Sequence, residues 1–111
     1  MKAVSLSLAC AAVLASSAAH AVLDNAKAEA LMKKDGCAAC HAVDKKIVGP
    51  AYVDVAAKYK NDKNAVAMLS KKVKEGSSTP LVWGQIPMPP NTTTSQADIT
   101  ELVTWILSLK K

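Results

Sequence analysis

The chain predicts a small all-α domain. Strand signals are nearly absent, four stretches carry apolar residues at helical spacing, and helix start or stop residues bracket most of them. The first helix is expected from about Asn25 to Lys34, with Asp24 as N-cap, Asp35-Gly36 as the stop, and Ala28, Leu31 and Met32 on one face. The second is expected to open at Pro50, a residue suited to a first helical turn, and to run to about Tyr59. The third is expected from about Asn64 to Glu75. Val66, Leu69 and Val73 stand three and four residues apart there, and Gly76 follows as a C-cap. The fourth starts at a capping box, Ser95 with Asp98. It carries an apolar stripe of Ile99, Leu102, Val103, Ile106 and Leu109 and ends at Lys110-Lys111. Between the third and fourth helices lies Ser77 to Thr94, rich in Pro, Ser and Thr. A loop of that length in a compact domain is usually functional or disordered, and Trp83, Ile86 and Met88 inside it argue against disorder.

A chain of 111 residues allows one small domain. Its beginning reads differently from the rest. Met1-Lys2 is a short positive start, residues 3–18 are Ala, Val, Leu and Ser with one Cys, and Ala19-His20-Ala21 fits a small-x-small cleavage site. This is the pattern of a cleaved secretory signal over residues 1–21. The stretch is too short and too diluted by Ala and Ser for a spanning helix, so no stable membrane insertion is expected after cleavage. Ser7-Leu8-Ala9-Cys10 lacks the Leu expected three residues before a lipidated Cys. The expected domain is 22–111, and the expected location is the periplasm.

Cleavage after Ala21 would leave 13 of the 14 Lys and all 9 acidic residues, a protein charge of +4. Arg and Phe are absent, and two Tyr and two Trp supply little aromatic filling. A domain this short often needs a staple or a bound group to complete its core. Modest charge, no Arg and export make nucleic-acid binding improbable.

Cys10 and His20 would leave with the signal, so the remaining Cys and His residues are Cys37, Cys40 and His41. Cys37-Ala38-Ala39-Cys40-His41 is a C-x-x-C-H motif, which in an exported chain reads as a covalent haem attachment site. The spacing lets two sulfurs reach the two vinyl groups of one porphyrin and sets the next imidazole beneath the ring. Cys37 and Cys40 are thus the expected thioether residues and His41 the proximal iron ligand. Three other readings are weaker. Structural zinc needs four ligands, and no further Cys or His is available. A thioredoxin-like redox pair belongs in a βαβ setting. A simple disulfide suits an oxidising compartment but leaves His41 unexplained.

A second axial ligand is expected from Met88. Met32 and Met68 lie in helical patterns and read as core filler. Met88 stands in Gln85-Ile86-Pro87-Met88-Pro89-Pro90-Asn91, where three prolines restrict the backbone and can hold one thioether in place. The alternative is a Met that merely packs over the ring. His/Met ligation raises the reduction potential, and burial adds to it by disfavouring the ferric charge. Two closed axial positions argue for electron transfer and against catalysis, so the chain is expected to be an electron carrier and not an enzyme.

These residues carry a family resemblance. Gly36-Cys37-Ala38-Ala39-Cys40-His41, Val48-Gly49-Pro50-Ala51-Tyr52, Val82-Trp83-Gly84, Ile86-Pro87-Met88-Pro89-Pro90-Asn91 and the terminal helix with Trp105 stand in the order and spacing of the short bacterial class I cytochromes c, the c-551/c-552 type. The resemblance implies about four helices wrapped around one covalently bound haem c. It also implies that the Pro50 carbonyl accepts a hydrogen bond from the His41 imidazole, a contact that orients the ring. It implies that Trp83 donates its indole N–H to a haem propionate, where a plain core Trp is the alternative. Asn91 would donate to the Met88 sulfur, with a turn-forming Asn as the alternative. Lys72 stands where relatives often carry Arg, a point charge in place of a planar fork. Residues 77–81 form a longer segment than in the shortest relatives.

The resemblance also implies redox-protein partners: a cytochrome bc1-type donor and a terminal oxidase or nitrite reductase as acceptor, met by a monomer in brief complexes. Lys33, Lys34, Lys45 and Lys46 flank the attachment motif, and Lys71, Lys72 and Lys74 form a second group. Such a positive rim would steer an acidic partner, although most surface lysines are simply solvated. A haem-based sensor or enzyme subunit with a displaceable Met, and a haem-free disulfide module, are the readings from other classes.

Overall fold

A computed structural model describes residues 23–111; the expected signal and its cleavage site lie outside the described residues. Four α-helices follow in order: α1 (Asn25–Lys34), α2 (Tyr52–Lys58), α3 (Ala65–Glu75) and α4 (Gln96–Ser108). One turn of 3-10 helix at Cys37–Ala39 follows α1. Among the described residues the only β-pairing is an isolated antiparallel bridge between His41 and Lys46. No described helix is long and apolar enough to cross a membrane.

Local chemistry sets α1 and α4. Asp24 accepts from the Lys27 amide at 2.8 Å, and Ser95 accepts from the Asp98 amide at 3.2 Å, each satisfying one otherwise free donor at a helix start. At the end of α1 the Asp35 amide donates to the Leu31 carbonyl, and Gly36 takes a left-handed φ of 76° that turns the chain away. The last turn of α4 closes at Ser108, short of Lys110 and Lys111. Lys111 instead reaches Asp54 on α2 at 2.8 Å.

The expected opening of α2 at Pro50 is corrected. The first helical carbonyl is that of Ala51, which accepts from the Asp54 and Val55 amides. Pro50 precedes the helix because its carbonyl is turned to the His41 ring.

α4 packs against the other three helices. Its stripe of Ile99, Leu102, Val103 and Ile106 is buried, together with Trp105. Met32 and Ala28 of α1 and Tyr52 and Val55 of α2 meet Leu102, Trp105 and Ile106 in one core. Burying each of the larger apolar side chains contributes about 1.5–3 kcal/mol, before conformational entropy is set against it. The Trp105 indole N–H donates to Asn25 at 3.1 Å, so the ring that fills the core also ties α4 to the start of α1. The stripe of α3 behaves differently. Val66, Leu69 and Val73 are only half-buried, and Leu69 and Val73 wall a cavity.

Candidate haem-binding site

The C-x-x-C-H motif is built by one tight turn. The Cys40 and His41 amides both donate to the Cys37 carbonyl, at 3.1 and 3.0 Å. This turn brings both thiols and the imidazole to one surface. Three backbone bonds then fasten the segment to the chain entering α2: Gly49 to Cys40 at 2.8 Å, Tyr52 to Ala42 at 3.0 Å and Val53 to Val43 at 3.0 Å.

The His41 ring is held on several sides. Its Nδ1 donates to the Pro50 carbonyl at 2.8 Å. Facing a carbonyl, Nδ1 must carry the proton, which leaves the Nε2 lone pair free for a metal. Tyr52 stacks on the ring with centroids 5.1 Å apart and planes inclined by 19°. Gly49 passes so close that a Cβ there would lie 2.8 Å from Nδ1 and 2.9 Å from Nε2, with Cε1 nearer still. Only glycine leaves room for the imidazole.

The Cys37 thiol is not poised for redox catalysis. Burial, and then the neighbouring Asp35 carboxylate, pushes the Cys37 thiol up from its ordinary value. Nucleophilic cysteines of thioredoxin-like sites are shifted the other way. Cys37 and Cys40 are both free, not joined to each other. Among the described residues no group of three or more His, Cys, Asp or Glu converges to hold a metal ion by itself.

Met88 is supplied by the long loop, which hangs on the end of α3. The Ser77 amide donates to the Met88 carbonyl at 2.9 Å, and the Met88 amide donates to the Ser77 hydroxyl at 3.3 Å. The Asn91 amide donates to the Val73 carbonyl at 3.0 Å. The Asn91 side-chain oxygen accepts from the Thr93 and Thr94 amides at 3.1 and 2.9 Å, the turn-forming role available to any Asn. Its side-chain NH₂ is a separate donor that those bonds do not engage. Gly76 has φ 83° and no space for a Cβ, which would lie 2.9 Å from the Met88 carbonyl oxygen.

These two assemblies face one cavity of about 240 Å³. Cys37, Cys40, His41, Pro50, Trp83 and Met88 line it, as does Lys72, and side chains of α2, α3 and α4 wall it. The walls are overwhelmingly apolar, and the donors are two thiols, one imidazole with a directed lone pair, and one thioether. That donor set fits a haem: soft or aromatic ligands for iron, sulfurs for vinyl groups, and a dry surround for a macrocycle. Val48, Val82 and Ile86 lie at the cavity and are exposed; Ile86, 69 % exposed, lies at the surface and not in the loop's interior. Trp83 is half-buried, with Lys58 over its ring at 5.8 Å. Asn91 is the one expected site residue absent from the cavity lining.

Sequence reasoning gave no role to Gly49, Tyr52 or Ser77. Gly49 and Tyr52 belong to the Val48–Tyr52 piece that carried the resemblance, but their work depends on where His41 points. Ser77 gave no signal beyond its place after a helix-ending glycine.

Comparison with known proteins identifies the family. The family model for cytochrome c matches residues 25–110, and the chain belongs to the cytochrome c family. Within it the chain is a short class I monohaem cytochrome c, an electron carrier with one covalently attached haem c. It is 55% identical over 80 residues to cytochrome c-552 of Nitrosomonas europaea, covering 72% of this chain and 76% of that one. It is 51% identical over 82 residues to cytochrome c-551 of Pseudomonas aeruginosa, covering 74% and 76%. The crystal structure of the Nitrosomonas europaea protein superposes with a TM-score of 0.69 at 54% identity, over 74% of this chain and 99% of that one. The class 1 cytochrome MtoD of Sideroxydans lithotrophicus superposes at 0.62 with 34% identity, over 78% and 96%. The expected all-α class I fold is thereby established.

Proposed function

We propose that the chain is a periplasmic carrier, exported by a signal cleaved near Ala21, whose haem is tethered by Cys37 and Cys40 and ligated by His41 and Met88. The observation that carries this reading is the convergence of those four side chains on one apolar cavity, with His41 Nδ1 committed to Pro50. The haem supplies a one-electron ferrous/ferric couple. Pro50 and Tyr52 orient the imidazole, and the Pro50 contact raises its basicity. The apolar walls exclude water and so favour the less charged state. Trp83 would donate to a propionate, and the Asn91 NH₂ would donate to the Met88 sulfur.

Partners are redox proteins, met at the exposed apolar rim of Val48, Val82 and Ile86. Exposed Lys45 and Lys46 stand beside that rim and would steer an acidic donor or acceptor, of the bc1, terminal-oxidase or nitrite-reductase kind. The visible spectrum of the reduced holoprotein, with and without carbon monoxide, tests the ligation. A low-spin c-type spectrum indifferent to carbon monoxide is expected. A prompt shift would favour the sensor or enzyme reading with a displaceable Met. Reduction by the native partner should slow as salt rises, and a salt-independent rate would remove the steering role of the lysines.

A further inference from the structure

We propose that Ser77 is the positioning residue for the Met88 thioether. The inference rests on the reading of Met88 as an axial ligand and adds how that ligand is held. Residues 87–90 read Pro-Met-Pro-Pro, and proline has no amide hydrogen, so the Met88 N–H is the only backbone donor in the run. That single donor goes to the Ser77 hydroxyl at 3.3 Å. In return the Ser77 amide donates to the Met88 carbonyl at 2.9 Å. One residue therefore grips the methionine on both sides of its Cα, which fixes the direction in which the side chain leaves the backbone.

Ser77 is well placed for this. It is half-buried and lines the cavity. It follows Gly76, whose amide still closes the last turn of α3 at 2.8 Å, so the grip is mounted on a helix end and not on another loop. Its neighbour Ser78 also borders the cavity but is exposed and makes no hydrogen bond to Met88. Removing the hydroxyl leaves the Met88 amide without a protein partner, while the bond to its carbonyl persists. The loop then becomes a hinge, attached on one side only.

The test uses ferric holoprotein and imidazole as a competing ligand. The far-red thioether-to-iron charge-transfer absorption reports Met88 on the iron. If the unaltered protein lacks that band, the ligation reading fails before Ser77 is in question. If the band is present, Ser77→Ala should bind imidazole roughly 5–30-fold faster, the factor that loss of one part-buried hydrogen bond supports. Ser77→Thr, which keeps the hydroxyl, should return to within about twofold of the parent, and Ser78→Ala should match it. Trp105→Phe controls for a merely looser fold: it should lose stability without speeding imidazole.

A parental rate in Ser77→Ala, or a Ser77→Thr variant as fast as Ser77→Ala, would overturn the proposal. Should Ser77→Ala fail to yield holoprotein, amide exchange in the unaltered protein decides. A protected Met88 amide supports the grip, and exchange as fast as in an exposed loop overturns it.

Discussion

His41 and Met88 face the same cavity but are held by different parts of themselves. At His41 the side chain is fixed: Nδ1 is bonded to Pro50, Tyr52 stacks on the ring and Gly49 closes against it. At Met88 the polar holds in the structure fall on the backbone, through Ser77 and the neighbouring Asn91–Val73 bond, and the proposed Asn91 NH₂ donation to the sulfur is the one such contact to the side chain. Tyr52 also belongs to the main core and meets Trp105 edge-on at 6.3 Å, so whatever moves His41 disturbs packing shared by α1, α2 and α4. The Met88 loop contributes nothing to that buried set except through half-buried Trp83. Cooperative unfolding should therefore carry the proximal side with it, whereas the distal side can open locally.

Gly49→Ala should give the largest effect and break the proximal side. The added methyl falls against Cε1, the carbon between the two ring nitrogens, and neither the ring nor the flanking backbone is free to move. Overpacking of this kind costs about 3 kcal/mol. Denaturant unfolding of the ferric holoprotein should show that loss, with the hyperfine-shifted His41 ring resonances and the far-UV helix signal disappearing together. Loss of those resonances well before the helix signal would mean that the proximal side can also open by itself.

Gly76→Ala should act on the other side and less severely. An L-residue at φ 83° and ψ 171° is strained, and its Cβ would press on the Met88 carbonyl and on Pro90. The strain is worth about 1–3 kcal/mol, and moving the exposed loop can relieve part of it. Thermal melts should lose the charge-transfer band at a lower temperature than the helix signal. Coincident melts would show the two sides to be more tightly coupled than the hydrogen bonds suggest.

How much of this was legible in the sequence follows the same division. Asp24 and Ser95 announce α1 and α4 because a cap acts within three residues, and C-x-x-C-H announces a haem because its chemistry lies within five consecutive residues. Pro50 was misplaced as a helix start because its carbonyl answers to a ring nine positions away. Leu69 and Val73 read correctly as an apolar stripe, but periodicity cannot say that the stripe faces a cavity. The Asn91 oxygen proved to be spent on Thr93 and Thr94, a turn role available from local rules, while Ser77 and Gly49 act on partners that no local window contains. Residues whose task lies within one turn of chain were readable by local rules; of those that hold a neighbour in space, Pro50 was reached as His41's acceptor through the family resemblance, while Gly49 and Ser77 needed the fold.

Lys58 offers the smallest and most delicate probe, because it reaches across the division. It is the last residue of α2, and its ammonium lies 5.8 Å from the ring centroids of both Tyr59 and Trp83. It thereby leans the helix that carries Tyr52 on the loop that carries Met88. Lys58 is exposed, so the contact should be worth about 0.5 kcal/mol and should fade with salt. Lys58→Met keeps most of the apolar stem and removes only the charge, which separates the cation–π contact from packing. Urea midpoints at low and high salt should differ between parent and variant only at low salt. If Lys58→Met also speeds imidazole binding to the ferric protein, Met88 depends on α2 as well as on α3, and the contrast between a fixed side chain and a fixed backbone is narrower than the hydrogen bonds imply. If the imidazole rate is unchanged while the midpoint falls, Trp83 serves the core, and the grip on Met88 belongs to the end of α3.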